Sequence, residues 1–272
     1  MYENILFPYD DSDGAAAVLH HAGELAHWAD GTITLLYVAD TTQHSVTRVE
    51  SSVVDGLVDH GADVLEPGAA TLDSLDADYT TDIVQGTPAE TIVDYAEEYD
   101  QDLIVMPTQG RQGLSQALLG SVTEKVVRLA ETPVLTARTV EGDRLDFPYE
   151  DILLPTDGSD AAGRAVDHGL SLAASLGATA HAFSAVDTGA VGVDDSGMLT
   201  TAGESAADEA VERVAAAGDE RGVDVRTHVE DGSPAAAIVE AVDDIGVDAV
   251  VMGTTGRRGI ERILLGSVAE KT

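Results

Sequence analysis

One stretch near the end of the chain reads Met252-Gly-Thr-Thr-Gly-Arg-Arg-Gly-Ile-Glu-Arg-Ile-Leu-Leu-Gly-Ser267. Two residues separate Gly253 from Gly256, nine separate Gly256 from Gly266, and Ser267 follows directly. The short valine-rich run from Val247 to Val251 predicts a buried parallel strand in front of this stretch. Gly253 therefore lies just after the carboxyl end of a strand, where open α/β sheets bind their ligands.

The glycines and the serine of this stretch have the properties of a phosphate-binding loop. Glycine tolerates positive φ and lets backbone N–H groups approach a ligand without an intervening Cβ. Ser267 to Glu270 has the pattern of a capping box, which predicts a helix start with free N–H groups and a positive dipole end. Two backbone segments that favour anions would then flank one site. The alternative is that Ser267 only caps a helix and that Gly253 and Gly256 are only turn residues.

The chain repeats itself with a shift of 146 or 147 residues. Ile5 to Asp10 matches Ile152 to Asp157, and Met106 to Lys125 matches Met252 to Lys271. In the second match, Gly110, Gly120 and Ser121 correspond to Gly256, Gly266 and Ser267. We therefore predict two domains of one kind, over residues 1–141 and 148–272, joined by a polar linker near 141–148.

The pattern Gly-x2-Gly-x9-Gly-Ser after a strand resembles the ATP-binding signature of the universal stress proteins, the UspA-like family. The resemblance implies an α/β fold with two tandem domains, each an open five-stranded, mostly parallel sheet flanked by helices, of the Rossmann-like HUP type. The second copy stops at Thr272, within the helix after the loop, so we expect its sheet to lack the last strand. Either the chain is truncated, or the strand predicted over Pro133 to Ala137 is left as an exposed edge.

The resemblance also implies which residues hold the nucleotide. In the second domain Asp157, next to Thr156, would bind the ribose hydroxyls as a double acceptor, and the backbone around Ala185 would bind the adenine. Ribose and phosphates would be held by Gly253, Gly256, Gly266, Ser267 and Val268. Arg257 would add a local cation, although a solvated loop arginine is an equally good interpretation. The counterparts in the first domain are Asp10, Val38, Gly110, Gly120, Ser121 and Val122. Magnesium would arrive with the ATP, without a metal site of the protein's own.

The two predicted sites differ at two positions. Pro107 stands where the second domain has Gly253, and Tyr9 stands where it has Thr156. Proline fixes φ, lacks an N–H and adds bulk where close backbone approach is wanted. We therefore expect the first site to bind nucleotide more weakly than the second.

The composition narrows the partners and the location. The 272 residues include 50 acidic and 14 basic residues, for a net charge of −36, so a nucleic-acid partner is not expected. Such acidity is typical of a halophilic cytoplasm, where salt shortens the Debye length to about 3 Å at 1 M. There is no cysteine, which excludes disulfides and thiolate metal sites. No apolar run is long enough to span a membrane and no signal peptide follows Met1, so a cytoplasmic location without membrane partners is expected.

No catalytic residue is predicted. No lysine follows a glycine, which excludes a Walker loop, and a dinucleotide fingerprint and a Gly-x-Ser-x-Gly elbow are missing. His20, Glu24 and His27 share a helical face, which is more often a solvated face than a metal site. Asp194-Asp195 lies in a glycine-rich loop but lacks the alternating oxygen ligands of a calcium loop.

These observations favour a nucleotide-responsive stress or regulatory protein that is not an enzyme. Within the family the usual dimer contact runs through the last strand, so the resemblance implies pairing of the two domains within one chain, and a homodimer is the second arrangement that it allows. One alternative is a slow ATPase or self-phosphorylating enzyme that uses the same pocket. Another is an interaction module that binds no nucleotide.

Helix spacing predicts several buried faces. We expect inward-facing residues at Ile92, Ala96 and Tyr99 on one helix, and at Val122, Val126 and Leu129 on another. Between Thr41 and Asp78 we expect one or two irregular helices, because Pro67-Gly68 should kink or end a helix there.

Overall fold

The computed structural model of the protein describes residues 1–40, 52–108, 119–137, 145–186, 202–254 and 269. For residues 52–59 and 202–203 it describes the backbone only. The chain divides into two compact units, Met1–Phe147 and Pro148–Thr272, and each unit contains one sheet.

The first unit contains a five-stranded parallel sheet. Its strands are β1 (Asn4–Pro8), β2 (Thr32–Asp40), β3 (Tyr79–Gly86), β4 (Leu103–Pro107) and β5 (Val134–Ala137), and its helices are α1 (Asp13–Ala29), α2 (Ser52–Ser74), α3 (Pro88–Glu98) and α4 (Ser121–Leu129). The strand order is β3-β2-β1-β4-β5, and all four strand pairs are parallel. The order reverses between β1 and β4, which makes the carboxyl end of β1 the switch point at which open sheets bind ligands.

The second unit repeats this arrangement with four strands among its described residues. They are β6 (Asp151–Pro155), β7 (Thr179–Val186), β8 (Val225–Asp231) and β9 (Ala249–Val250), with helices α5 (Asp160–Leu176), α6 (Ala202–Arg221) and α7 (Pro234–Ile245). The order is β8-β7-β6-β9, again parallel throughout. The predicted fold class is confirmed, including a second sheet with one strand fewer than the first.

The central strand of each sheet is buried on both faces. In β1, Ile5, Leu6 and Phe7 are consecutive and fully buried, and β6 has the same property over residues 152–154. Side chains of a strand alternate between faces, so a continuous apolar run fits only a strand that helices cover on both sides. The three-residue apolar runs after Asn4 and Asp151 therefore specify the middle of each sheet.

Two of the predicted inward-facing residues are exposed, and these predictions are wrong. Tyr99 is 52% exposed and Leu129 is 41% exposed, whereas Tyr95 is only 9% exposed. Tyr99 is the C-cap residue of α3 and Leu129 is the last residue of α4. Both occupy the correct angular position on their helices, but they lie at the helix ends, where less of the protein covers them.

The helix does not end at Pro67-Gly68, where the sequence predicted a kink or an end, because α2 continues through Pro67 to Ser74. Proline removes one backbone hydrogen bond from the helix. The helix face that packs onto the sheet compensates, since Val64, Leu65 and Leu72 are 5%, 3% and 0% exposed. Tertiary packing of an apolar face contributes more to helix stability than local propensity does.

Candidate functional site

The same turn geometry follows the central strand in both units, and each turn holds a carboxylate at the switch point. The Oδ1 atom of Asp157 accepts a hydrogen bond from the Ser159 N–H at 3.0 Å. In the first unit, the Oδ1 atom of Asp10 accepts one from the Ser12 N–H at 3.2 Å. The aspartates that the sequence predicted as ribose ligands thus have the same local structure in both copies.

The same turn starts a helix in each unit. The residue after the aspartate has positive φ, 56° at Asp11 and 75° at Gly158. The hydroxyl of Ser12 caps α1, and the hydroxyl of Ser159 caps α5 by accepting a hydrogen bond from the Ala162 N–H at 3.2 Å.

The residues predicted for the adenine lie on the neighbouring strands. Val38 belongs to β2 and Ala185 to β7, which pair with the central strands β1 and β6. Both side chains are half-buried and pack against the apolar cluster on one face of their own sheet. Val38 lies near the end of β2, which is Asp40, and Ala185 lies near the end of β7, which is Val186. The backbone at both residues is therefore close to the switch point.

In the first unit, hydrogen bonds join the two ends of the loop that is predicted to bind phosphate. The Gly120 N–H donates to the carbonyl oxygen of Thr108 at 2.6 Å. The Thr123 hydroxyl donates to the carbonyl oxygen of Pro107 at 3.0 Å. These two contacts join the start of α4 to the end of β4, and sequence reasoning missed both threonines because no local pattern marks them.

The N-cap residue of α4 provides no side-chain cap. It is Gly120, which has no side chain to accept a hydrogen bond from the first N–H groups of the helix. The first N–H groups of a helix have no partner within the helix, and together with the dipole they favour an anion. Ser121 and Val122, which were predicted as phosphate-binding residues, are the first two residues of the helix and supply two of these N–H groups. Gly110 lies outside the described residues.

Pro107 causes no loss of sheet hydrogen bonding. It is the last residue of β4, and it pairs with Ala137 of β5. The N–H groups that β4 donates to β5 come from the even-numbered residues Ile104 and Thr108, so the nitrogen of Pro107 points to the β1 side. The β1–β4 ladder reaches only to Ile104, so no partner there requires an N–H from residue 107.

In the second unit the structure describes part of the predicted site. Thr156 and Asp157 follow β6, and Gly253 follows β9 three residues after Val250. Because β6 pairs with β9, these residues lie after neighbouring strand ends. The glycines with positive φ in the described part of this unit do not include Gly253, so only its missing Cβ is relevant here. Gly256, Arg257, Gly266, Ser267 and Val268 lie outside the described residues.

The exchange of Tyr9 for Thr156 changes how the switch-point residue packs. The Tyr9 ring lies against α2 at Gly68, where an added Cβ would be 3.2 Å from two ring carbons. The matching residue of α6 is Val214. Thr156 and Val214 line a cleft of about 160 Å³ between α5 and α6, and Gly163 lies in its wall. The Thr156 hydroxyl accepts a hydrogen bond from the Gly158 N–H at 3.1 Å, so it also stabilises the turn.

Two of the three residues considered as metal ligands, His20 and Glu24, lie close together, and His21, which was not considered, lies near the same carboxylate. His20 and Glu24 are 3.7 Å apart, and His21 and Glu24 are 3.9 Å apart. Burial lowers the pKa of His21, which favours its neutral form. Among the described residues no group of three or more histidine, aspartate or glutamate side chains could hold a metal ion. Asp194 and Asp195 lie outside the described residues.

Over the part of the chain that the structure describes, every helix is too short or too polar to cross a bilayer.

The fold and the site define an α/β protein with two open parallel sheets in tandem, each with an aspartate turn at its switch point. The model of the universal stress protein family matches residues 1–138 and 148–272, and the chain belongs to this family. The resemblance inferred from the glycine loop is therefore confirmed.

Individual relatives agree with this assignment. Universal stress protein MJ0531 of Methanocaldococcus jannaschii is 39% identical over 141 residues, which cover 51% of this chain and 83% of the relative. A universal stress protein of Methanothermobacter thermautotrophicus is 34% identical over 149 residues, covering 52% of this chain and 98% of the relative. The crystal structure of a universal stress protein from Archaeoglobus fulgidus covers 100% of this chain and 94% of its own, with a TM-score of 0.72 at 22% identity. That last likeness concerns the fold.

Proposed function

We propose that this tandem universal stress protein binds ATP, with its magnesium, and that nucleotide occupancy regulates a stress response. The observation that carries the proposal is the repeated aspartate turn. Asp10 and Asp157 each follow the central strand of their sheet, where strand order reverses and ligands bind in such folds. A carboxylate at this position can accept hydrogen bonds from two vicinal ribose hydroxyls.

The phosphate end of the proposed site is supported by the start of α4. The loop between Thr108 and Gly120 is closed by a 2.6 Å hydrogen bond, and the helix that follows has no side-chain cap. Backbone N–H groups at an uncapped helix start are a general solution for binding phosphate. The corresponding segment of the second unit has the complete glycine spacing, so we propose the second unit as the stronger site.

The turn residues also explain how occupancy would be transmitted. Asp157 accepts a hydrogen bond from the Ser159 N–H, and Ser159 caps α5. A ribose that binds the carboxylate adds a ligand contact to the same turn that starts the helix. Nucleotide would then stabilise one conformation of this turn, which is the differential affinity that a regulatory ligand needs.

The first experiment compares bound nucleotide in three proteins purified in high salt. After denaturation, the supernatant is analysed by anion exchange for the parent, for Gly253→Pro, and for the reciprocal variant Pro107→Gly. We expect about one ATP per chain in the parent, loss in Gly253→Pro, and a second ATP in Pro107→Gly. The reciprocal variant Pro107→Gly is the control for loss of nucleotide through instability. It removes a proline at the position that matches Gly253, so a gain of nucleotide there shows that the proline itself opposes binding.

The outcomes separate the candidate functions. ADP without ATP, with release of phosphate from added Mg-ATP, would replace regulation by binding with slow hydrolysis in the same pocket. Absence of nucleotide from all three folded proteins, with no uptake of Mg-ATP, would reject ATP binding and leave an interaction module. Asp157→Asn provides a second measurement, because it keeps an acceptor for Ser159 but removes the charge, and we expect weaker binding of ATP.

A further inference from the structure

Three polar side chains form a continuous hydrogen-bonded chain across the second sheet. The Nε2 atom of His181 is 2.7 Å from the Oδ1 atom of Asp151, and its Nδ1 atom is 3.0 Å from the Nε2 atom of His228. The two imidazole rings are stacked, with centroids 5.2 Å apart and an interplanar angle of 21°. We call these three residues the histidine chain.

The histidine chain connects an edge strand to the centre of its sheet. Asp151 belongs to β6, His181 to β7 and His228 to β8, and β8 is an edge of the four described strands. His181 is 1% exposed. It lies two residues before Phe183, so both side chains point to the sheet face that α7 covers.

The first unit has no histidine at the corresponding positions. Thr34 occupies the place of His181, and Asp82 occupies the place of His228. Asp82 accepts a hydrogen bond from the Tyr95 hydroxyl at 2.9 Å, which connects edge strand β3 to helix α3. Ala241 stands at the position of Tyr95 in the second unit and leaves room for the two rings. The titratable connection between strands is therefore a property of the second unit.

The hydrogen bonds determine how many protons the histidine chain holds. An ionised Asp151 only accepts, so the Nε2 atom of a neutral His181 carries the hydrogen and its Nδ1 atom accepts from the His228 N–H. One added proton on the pair leaves a donor and an acceptor facing each other at 3.0 Å. A second added proton places two N–H donors face to face, and this breaks the connection between β7 and β8.

From this geometry we propose that the histidine chain is a proton-sensitive link, which holds β8 on the sheet at neutral pH and releases it when both histidines are protonated. This inference concerns the second sheet itself and is independent of nucleotide binding. It adds acid sensing to the ways in which the chain responds to stress.

Some charged groups around the histidine chain lower the pKa of His228 and others raise it. Burial lowers the pKa of His228, with a further lowering from His181 and Arg226, whereas Glu230 raises it. Asp248 lies beside Asp151, because its carboxylate accepts hydrogen bonds from the backbone N–H groups of Glu150 and Asp151. From α7, Ala237, Ile238 and Ala241 are buried in the apolar cluster on this face, and Val242 and Ile245 pack against it; none of these five side chains titrates. Burial of His228 thus opposes its protonation.

The test measures amide hydrogen exchange of β8 at pH 7 and pH 5 in constant high salt, after correction for intrinsic exchange rates. The matched variant is His228→Gln, whose amide can donate to or accept from His181 and does not titrate. Because released histidines titrate near pH 6.5, we expect β8 protection in the parent to fall by about tenfold or more. In His228→Gln we expect a change of less than about threefold.

Strand β3 of the first unit is the internal control, and its protection should fall less than that of β8 in the parent and by the same amount in both proteins, because His21 is present in both. An equal fall of β8 protection in the parent and in His228→Gln would overturn the proposal, and so would unchanged protection in the parent. Should His228→Gln not fold, nitrogen-15 spectra of the parent decide. We expect the Nε2–H tautomer for His181 at pH 7 and two separate titration steps for the pair. Simultaneous titration near pH 6.5 would refute the link.

Discussion

Two glycines of helix α5 should respond in opposite directions to the same substitution. A Cβ added at Gly169 would collide with the Leu154 side chain and lie 3.3 Å from the Cβ of Val251. Leu154 is fully buried, so it has little room to move. At Gly163, by contrast, an added Cβ has no atom within 4 Å.

The magnitudes follow from helix propensity and packing. Alanine in place of glycine stabilises a helix interior by about 1 kcal/mol, and this gain applies at both positions. Inserting a methyl group into a packed core costs about 1–3 kcal/mol, which applies only at Gly169. We therefore expect Gly163→Ala to stabilise the second unit by up to about 1 kcal/mol and Gly169→Ala to destabilise it by about 1 kcal/mol.

The assay is urea denaturation at fixed high salt, followed by far-ultraviolet circular dichroism and by amide exchange in α5. Tryptophan fluorescence serves as the control, because the only tryptophan of the chain, Trp28, lies in the first unit. Its transition should be the same in both variants. The reasoning about close packing of α5 on β6 is refuted if Gly169→Ala is as stable as Gly163→Ala.

Three further predictions concern the turns and the histidines. Ser159→Ala should destabilise the second unit by about 1 kcal/mol in thermal denaturation, because it removes the cap of α5; an unchanged midpoint would contradict this role. Gly158→Ala should destabilise it by a similar amount, about 1 kcal/mol, because φ is 75° there; Gly163→Ala is the matched control. Burial lowers the pKa values of His21 and His168. The unfolded chain therefore binds more protons, and stability present above pH 6.5 should be lost as the pH falls below it. Equal urea midpoints at pH 7 and pH 5.5 would contradict this.

Much of the fold could be predicted from the sequence because its signals are local and occur twice. The apolar runs at Ile5 and Ile152 predict the central strands, and the repeated glycine spacing predicts the equivalent loops. Helix faces were predicted correctly in helix interiors and wrongly at the ends, as Tyr99 and Leu129 show. Helical periodicity predicts which way a side chain points, but not whether another part of the protein still covers the helix at that position.

The candidate site was predicted less completely. Asp10 and Asp157 were predicted as ribose ligands, but the sequence did not predict their hydrogen bonds to Ser12 and Ser159, which form across a residue with positive φ. Contacts between distant segments have no local signal at all. His181 and His228 lie 47 residues apart, and only the register of β7 and β8 brings their rings together.

The packing of Tyr9 on Gly68 also has a consequence for how the two halves of this chain diverged. The first unit combines the large side chain of Tyr9, after β1, with Gly68 on α2, which has no side chain. The second unit combines Thr156, after β6, with Val214 on α6. Changing Tyr9 alone to threonine would leave a void, and changing Gly68 alone to valine would create a clash. Each single change is therefore expected to lower stability, so the two positions are energetically coupled. Exchanging segments between the halves should then succeed when both positions move together and fail when one of them moves alone.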